Sequence, residues 1–196
     1  LALYLDSDAA PALRCDGESE RGFADEFFAR AGAGDRARPL VAVHPGSGGE
    51  RKNWPLDRWQ ALGLELLARP AATRPRLLLV GGEADVKTLA TLRAAWRGAG
   101  AADDVLVAEN LPLPALAALL ARCDRFLGHD SGISHLAAAV GAPCVLLFGP
   151  TDPDIWAPPY PAVQVVRAPD GFMGSLDLET VRAAVDAALA KSPGMQ

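Results

Sequence analysis

The stretch RFLGHDSGISHLAAAVGAPCVLLF, residues 125–148, places two apolar runs on either side of an alanine-rich segment. The length and composition of the two runs are typical of buried strands, and those of the segment between them are typical of a helix. A strand, a helix and a second strand in this order predict two parallel strands joined by a crossover helix.

The same alternation of strand and helix extends outward from this stretch over most of the chain. Further strands are predicted in PLVAVHPGSGG, RLLLVGGEAD, DVLVAEN and VQVVRA. Helices are predicted over residues 54–69, from the turn after RLLLVGG to about Arg93, over residues 113–123, and over residues 176–191 near the end of the chain. Continuously apolar strands that alternate with helices predict a Rossmann-like, doubly wound α/β domain with a parallel sheet.

Residues 1–38 give weaker signals than the rest of the chain. They predict a strand over residues 1–5, a polar loop over residues 6–20, and a helix over residues 22–31 with three phenylalanines at helical spacing.

Composition excludes several classes of protein. A net charge of −5 and the lack of a basic face argue against a nucleic-acid-binding protein. No apolar stretch approaches the roughly 20 residues that cross a bilayer, and no signal peptide is recognisable. The cysteines Cys15, Cys123 and Cys144 are widely spaced, which predicts thiols in a reducing cytoplasm.

Two glycine-rich turns follow predicted strands, and parallel sheets bind ligands at the carboxyl ends of their strands. One contains Ser47, Gly48 and Gly49, and the other is the Asp130-Ser131-Gly132 turn. Either turn alone fits an ordinary capped connection from a strand to a helix. Together they offer amide groups at two helix N-termini, where anions bind.

Charged and titratable side chains near these turns strengthen the prediction of a phosphate-bearing ligand. Lys52 adds a positive charge, and His135 lies one turn into the second helix. Glu83, after the VGG turn, is either a ribose ligand or an exposed glutamate at a helix start. Asp130 can cap its helix, order the turn, or accept a hydrogen bond from a sugar hydroxyl. Packing side chains are predicted at Trp54, Trp59, Trp96 and Trp156.

Two enzyme classes fit the same residues less well. GHDSG reads G-x-x-S-G, whereas a hydrolase nucleophile elbow reads G-x-S-x-G, and His135 would lie on the same helix as the serine. His44, His129 and His135 do not have the spacing of metal ligands, so no metal site is predicted.

In combination, these motifs resemble glycosyltransferase family 9, the ADP-heptose:lipopolysaccharide heptosyltransferases. The resemblance covers residues 40–160 and the last helix, through P-G-S-G with Lys52-x-Trp54-Pro55, V-G-G-E, D-S-G-x-x-H and F-G-P-T. It implies the GT-B architecture of two Rossmann-like domains. Residues 39–196 would be the C-terminal nucleotide-sugar-binding domain with a helix that braces the domain interface, its apolar face partly exposed. Residues 1–38 would be an interdomain linker or a remnant of the N-terminal domain.

The resemblance also implies a role for each matching residue. Ser47, Gly48 and Lys52 would hold the diphosphate, with Lys52 stabilising the leaving group, and Glu83 would bind ribose. Leu113 would lie near adenine. Phosphate and donor sugar would contact Asp130, Ser131, Gly132 and His135.

The implied reaction is the inverting transfer of heptose from ADP-heptose to a lipopolysaccharide-core acceptor, without a metal or other cofactor. The acceptor site and the catalytic base would lie in an N-terminal domain that this sequence does not contain. A chain that begins at Leu1 fits a piece of a longer protein, and we expect it to bind nucleotide sugar without turnover.

The complete protein would be cytoplasmic and possibly peripheral to the inner membrane, with a lipid-linked acceptor. Two other interpretations stay open: a stand-alone nucleotide-binding or nucleotide-sugar-binding regulatory module, and half of a GT-B nucleotide-sugar epimerase.

Overall fold

A computed structural model of the chain describes residues 2–4, 12–15, 17–32 and 38–191. The strands are β1 (Ala2–Tyr4), β2 (Ala12–Arg14), β3 (Leu40–Val43), β4 (Arg76–Gly81), β5 (Val105–Glu109), β6 (Arg125–His129), β7 (Cys144–Phe148) and β8 (Val163–Arg167). The helices are α1 (Glu18–Arg30), α2 (Leu56–Leu67), α3 (Val86–Trp96), α4 (Leu113–Leu120), α5 (Gly132–Ala139), α6 (Pro153–Trp156) and α7 (Leu178–Ala190).

The main sheet is parallel and has the strand order β5-β4-β3-β6-β7-β8. Counted from β3, this is the order of dinucleotide-binding α/β domains, in which ligands bind where the strand order reverses. That point lies between β3 and β6. The doubly wound, Rossmann-like prediction is therefore confirmed.

Two apolar layers cover the faces of this sheet because successive strand residues point to opposite sides. Val41 and Val43 belong to one layer with α2, α3 and α7, whereas Ala42 belongs to the other with α1, α4 and α5. Burial on both faces explains why these strands read as continuous apolar runs instead of alternating ones.

The first part of the chain differs from the prediction at two places. β2 lies within the stretch predicted as a loop, and it pairs with β1 antiparallel, apart from the main sheet. The helix predicted over residues 22–31 begins earlier, at Glu18. Residues 1, 5–11 and 16 of the predicted strand and loop lie outside the described residues. The assignment of residues 1–38 to a linker or remnant stays a prediction.

Pro55 makes the helix predicted from Trp54 begin two residues later. Pro55 is its N-cap, with extended backbone, and the helix begins at Leu56. The residue before a proline is disfavoured in helical conformation, which keeps Trp54 outside the helix.

The apolar face of α7 packs on the layer that also contains α2 through the buried Val181, Val185 and Ala188. Leu178, Ala184 and Leu189 are only partly buried, which agrees with a partly exposed apolar face. The packing prediction for Trp156 is wrong. Trp156 is 54% exposed, whereas the other three tryptophans are buried as predicted. No helix of the described part of the chain has the length and apolar composition that a membrane crossing needs.

The close approach of α2 to α3 depends on Gly63. A Cβ atom at this position would lie 2.1 Å from Cε2 of the buried Trp96 ring. We expect Gly63→Ala to lower the free energy of unfolding by about 1–3 kcal/mol, because the helices must separate or the indole must leave its preferred rotamer. Urea denaturation measures this.

The matched control is Gly98→Ala, where an added Cβ meets nothing within 4 Å. It should change the free energy of unfolding by less than about 1 kcal/mol. Equal effects of the two substitutions would contradict the packing argument.

Candidate functional site

A cleft of about 710 Å³ opens at the carboxyl ends of β3, β4 and β6, the size range of small-molecule sites. It therefore lies at the point where the strand order reverses. Its wall is formed by Leu13, His44, Ser47, Gly48, Gly82, Ala84, Asp85, Leu113, Ser131, Gly132, Ile133, His135, Leu136, Ala139, Pro159 and Tyr160.

One face of α5 forms a side of this cleft. Gly132, His135, Leu136 and Ala139 line it at helical spacing. Ser131 is the N-cap, and its Oγ accepts a hydrogen bond from the Ser134 amide at 3.3 Å. The cap uses the Ser134 amide, and the earlier amides of the first turn can serve an anionic ligand.

Lys52 is held next to the start of α5. Its Nζ donates to the backbone oxygen of Asp130 at 3.0 Å and to Oδ2 of the same residue at 3.1 Å. The Lys52 side chain is 28% exposed and that of Asp130 is 10% exposed, so this pair is partly shielded from water. The site therefore places a cation beside a helix N-terminus, with one carboxylate balancing it.

His129, the last residue of β6, ties the loop after β3 to the sheet. The backbone amide of Trp54 donates to its Nε2 at 2.9 Å, and Nδ1 lies 3.3 Å from the Gly46 oxygen. The ring is completely buried against Trp59. This burial, more than any other factor, lowers the pKa of His129 to about 3, so the ring stays neutral and accepts at Nε2.

A second buried histidine connects three strand ends. His44 follows β3, and its Nδ1 lies 3.2 Å from Oγ of Ser131, which follows β6. Its Nε2 lies 3.3 Å from Oδ2 of Asp85, which follows β4. The hydrogen bond from His44, and after it the Gly82 amide, lower the pKa of Asp85 and keep its carboxylate ionised.

The structure brings six of the nine predicted site residues to the cleft, namely Ser47, Gly48, Leu113, Ser131, Gly132 and His135. Glu83 is exposed on the neighbouring turn and does not line the cleft. Lys52 and Asp130 also lie outside its wall, paired with each other. The Ser47 hydroxyl donates within its own loop, to Asn53 Oδ1 at 2.6 Å or to the Gly49 oxygen at 2.9 Å.

Sequence reasoning missed His44 and Asp85 as parts of this site. His44 directly follows an apolar strand, and Asp85 comes three residues after the second glycine of a strand-end turn. The imidazole of His44 lies within hydrogen-bond distance of the Ser131 hydroxyl, whereas the hydrogen bond of His135 to Ser131 is one between backbone groups. Ser131 Oγ already caps α5, which does not favour a nucleophile. No group of three metal-ligating side chains occurs within the described ranges.

The chain resembles known glycosyltransferases in sequence. Residues 9–180 match the sequence model of glycosyltransferase family 9 (heptosyltransferase). Lipopolysaccharide heptosyltransferase 2 of Salmonella typhimurium is 29% identical over 136 residues, which are 69% of this chain and 38% of the relative. This chain thus spans about two fifths of the length of that curated relative.

Solved structures agree with this fold. The glycosyl transferase family 9 structure from Veillonella parvula has a TM-score of 0.82 at 21% identity, covering 95% of this chain and 56% of the other. An Escherichia coli heptosyltransferase with ADP has a TM-score of 0.67 at 25% identity, covering 78% of this chain and 45% of the other. Each match covers about half of the solved chain, as expected for one domain of a GT-B enzyme.

The buried, neutral His129 makes folding sensitive to acid. In the unfolded chain its pKa returns to 6.5, against about 3 in the folded protein. Below pH 6.5 the unfolded state binds a proton that the native state does not, so the free energy of unfolding falls as the pH decreases toward 3. This contribution is at most about 1.4 kcal/mol per pH unit.

We expect His129→Gln, whose amide oxygen can still accept from the Trp54 amide, to have a shallower dependence than the wild type between about pH 7 and pH 5. Urea denaturation across this interval measures the slope. His135→Gln, at an exposed position, is the control and should keep the wild-type slope. An unchanged slope in His129→Gln would show that this ring does not resist protonation.

Proposed function

Because the chain belongs to glycosyltransferase family 9, we propose that it is the nucleotide-sugar-binding half of an inverting glycosyltransferase. In the whole protein, this half would present ADP-heptose for transfer of the heptose to a lipopolysaccharide-core acceptor. The heptosyltransferase relatives and the related structure with ADP support this choice of donor.

The cleft at the strand-order reversal is the observation that carries the proposal. Its wall combines the turn after β3, through Ser47 and Gly48, with the N-terminus of α5. Both supply backbone amides, and helix N-termini favour negative charge. A diphosphate matches this arrangement in size and charge.

The wall also has an apolar portion that suits a nucleobase. Leu113 at the start of α4 is 64% exposed and lines the cleft, as do Leu136, Pro159 and Tyr160. The ribose of the donor would bridge this portion and the diphosphate. Glu83 follows β4 and does not line the cleft. Its side chain would need to rotate toward the cleft to accept a hydrogen bond from a ribose hydroxyl.

Lys52 would act on the leaving group. Transfer of the sugar leaves a nucleoside diphosphate with additional negative charge, and a cation placed beside it stabilises that charge most strongly as it develops. For Lys52 to reach the diphosphate, its ammonium group must give up the hydrogen bond to the Asp130 carboxylate, or keep it and donate to the diphosphate as well. Asp130 would then be free to accept from a hydroxyl of the donor sugar.

We assign this leaving-group role to protein groups and propose no metal or other cofactor. The lipid-linked acceptor and the catalytic base belong to the other half of the proposed enzyme. That enzyme would work in the cytoplasm, in peripheral association with the inner membrane where its acceptor is anchored.

Titration calorimetry with ADP tests the diphosphate assignment. We expect Lys52→Ala to weaken ADP binding about 10–100-fold, the effect of losing a charge-assisted hydrogen bond. His135→Ala should weaken it less, because this exposed imidazole carries a full charge only when protonated. UDP and GDP, measured on the wild type, establish whether the apolar portion selects adenine.

Lys87→Ala is the matched control, since Lys87 is exposed on α3 and does not line the cleft. It should bind ADP as the wild type does. Unchanged ADP affinity in both Lys52→Ala and His135→Ala would overturn the site assignment. A wild-type chain that binds none of the three nucleotides would overturn the proposed function itself.

A further inference from the structure

We infer that His44 and Asp85 are positioning residues of the nucleotide site, which fix the direction of the Ser131 hydroxyl at the N-terminus of α5. The inference rests on the proposed function, because it concerns the same cleft. It adds two residues that contribute through Ser131 to how the first turn of α5 meets the diphosphate.

The three side chains come from three neighbouring strand ends. His44 lies between Asp85 and Ser131, with 3.3 Å from Nε2 to Oδ2 and 3.2 Å from Nδ1 to Oγ. The imidazole is only 3% exposed. A polar ring this deeply buried needs a partner for each nitrogen, and the two neighbouring strands supply them.

The backbone is shaped to receive the Asp85 carboxylate. A Cβ atom at Gly46 would lie 1.8 Å from Oδ1 of Asp85, and one at Gly81 would lie 2.8 Å from its Cβ. The Gly82 amide donates to Oδ2 at 2.9 Å. Gly46 and Gly81 leave space for the Asp85 side chain, and the Gly82 amide orients its carboxylate. The backbone after β3 and at the end of β4 therefore holds this carboxylate next to His44.

The ionised carboxylate determines where the proton of His44 lies. An ionised carboxylate accepts hydrogen bonds and donates none, so the hydrogen between Asp85 and His44 is on Nε2. In the tautomer with hydrogen on Nε2 alone, Nδ1 is bare and accepts the hydroxyl hydrogen of Ser131. The tautomer of His44 thereby sets the direction of this hydrogen bond.

This direction leaves the Ser131 oxygen available as a cap. With its hydrogen directed to His44, Oγ offers a lone pair to the Ser134 amide at 3.3 Å. The cap holds the first turn of α5, whose residues Gly132 and Ile133 line the cleft. Without the bond to His44, the Ser131 hydroxyl donates instead to Oγ of Ser134, which lies 3.0 Å away, so the direction of its hydrogen changes.

Two substitutions of His44 distinguish the hydrogen bond made by Nδ1 from the one made by Nε2. The amide oxygen of Asn can occupy the place of Nδ1 and accept from Ser131, whereas the longer Gln places its amide near Nε2 and Asp85. We expect His44→Asn to bind ADP within about three-fold of the wild type. His44→Gln should bind about five- to ten-fold more weakly, the effect of one lost hydrogen bond.

A double-substitution cycle tests whether His44 acts through Ser131. In a Ser131→Ala background, His44→Gln should cause no further loss of ADP affinity, because the group on which His44 acts is already gone. Calorimetry with ADP gives the four affinities. A further loss as large as in the wild-type background would mean that His44 acts by general packing, and would overturn the inference.

Nitrogen chemical shifts of His44 in the unliganded wild type give a test without any substitution. The inference requires a protonated Nε2 and an unprotonated Nδ1, and the opposite tautomer overturns it. Normal ADP binding by the wild type with equal affinities of His44→Asn and His44→Gln also overturns it and leaves the proposed function standing. No ADP binding by the wild type overturns the proposed function instead.

Discussion

The site depends on the placement of β3 beside β6 in a parallel sheet. The chain leaves β3 toward the face that α2 covers and leaves β6 toward the face that α5 covers. Two neighbouring strands whose connections diverge in this way leave a crevice at their carboxyl ends. The two glycine-rich turns meet in this crevice because of the strand order, although they are more than eighty residues apart in the sequence.

Two buried histidines connect the two sides of that crevice through hydrogen bonds. His129 accepts from the Trp54 amide and so fixes the loop that contains Lys52 next to β6. His44 performs the corresponding task between β4 and α5, through Asp85 and Ser131. Lys52 can reach Asp130 because this loop is held at both ends, by β3 and by His129. The chemistry proposed for the cleft thus relies on the buried imidazoles of His44 and His129 beneath it.

The sequence predicted the strands well because a parallel sheet covered on both faces needs continuous apolar runs, which few other structures produce. The two turns were also recognisable, since glycine and serine after a buried strand are typical of helix starts that bind anions. His44 and Asp85 were missed because their roles arise from contacts between strand ends, which spacing along the chain does not reveal. The exposure of Trp156 depends likewise on which element packs against which. β2 has three residues and pairs outside the main sheet, so its pattern is too short to recognise.

Backbone amide spectra of the chain during titration with ADP test the location of the diphosphate most directly. We expect the largest shifts at residues 46–49 and 131–135, the two turns on either side of the strand-order reversal. The largest shifts could instead fall at the groove by the amino end of β3, lined by Pro39, Glu65, Arg69 and Arg182. That result would contradict a nucleotide site at the carboxyl ends of the strands.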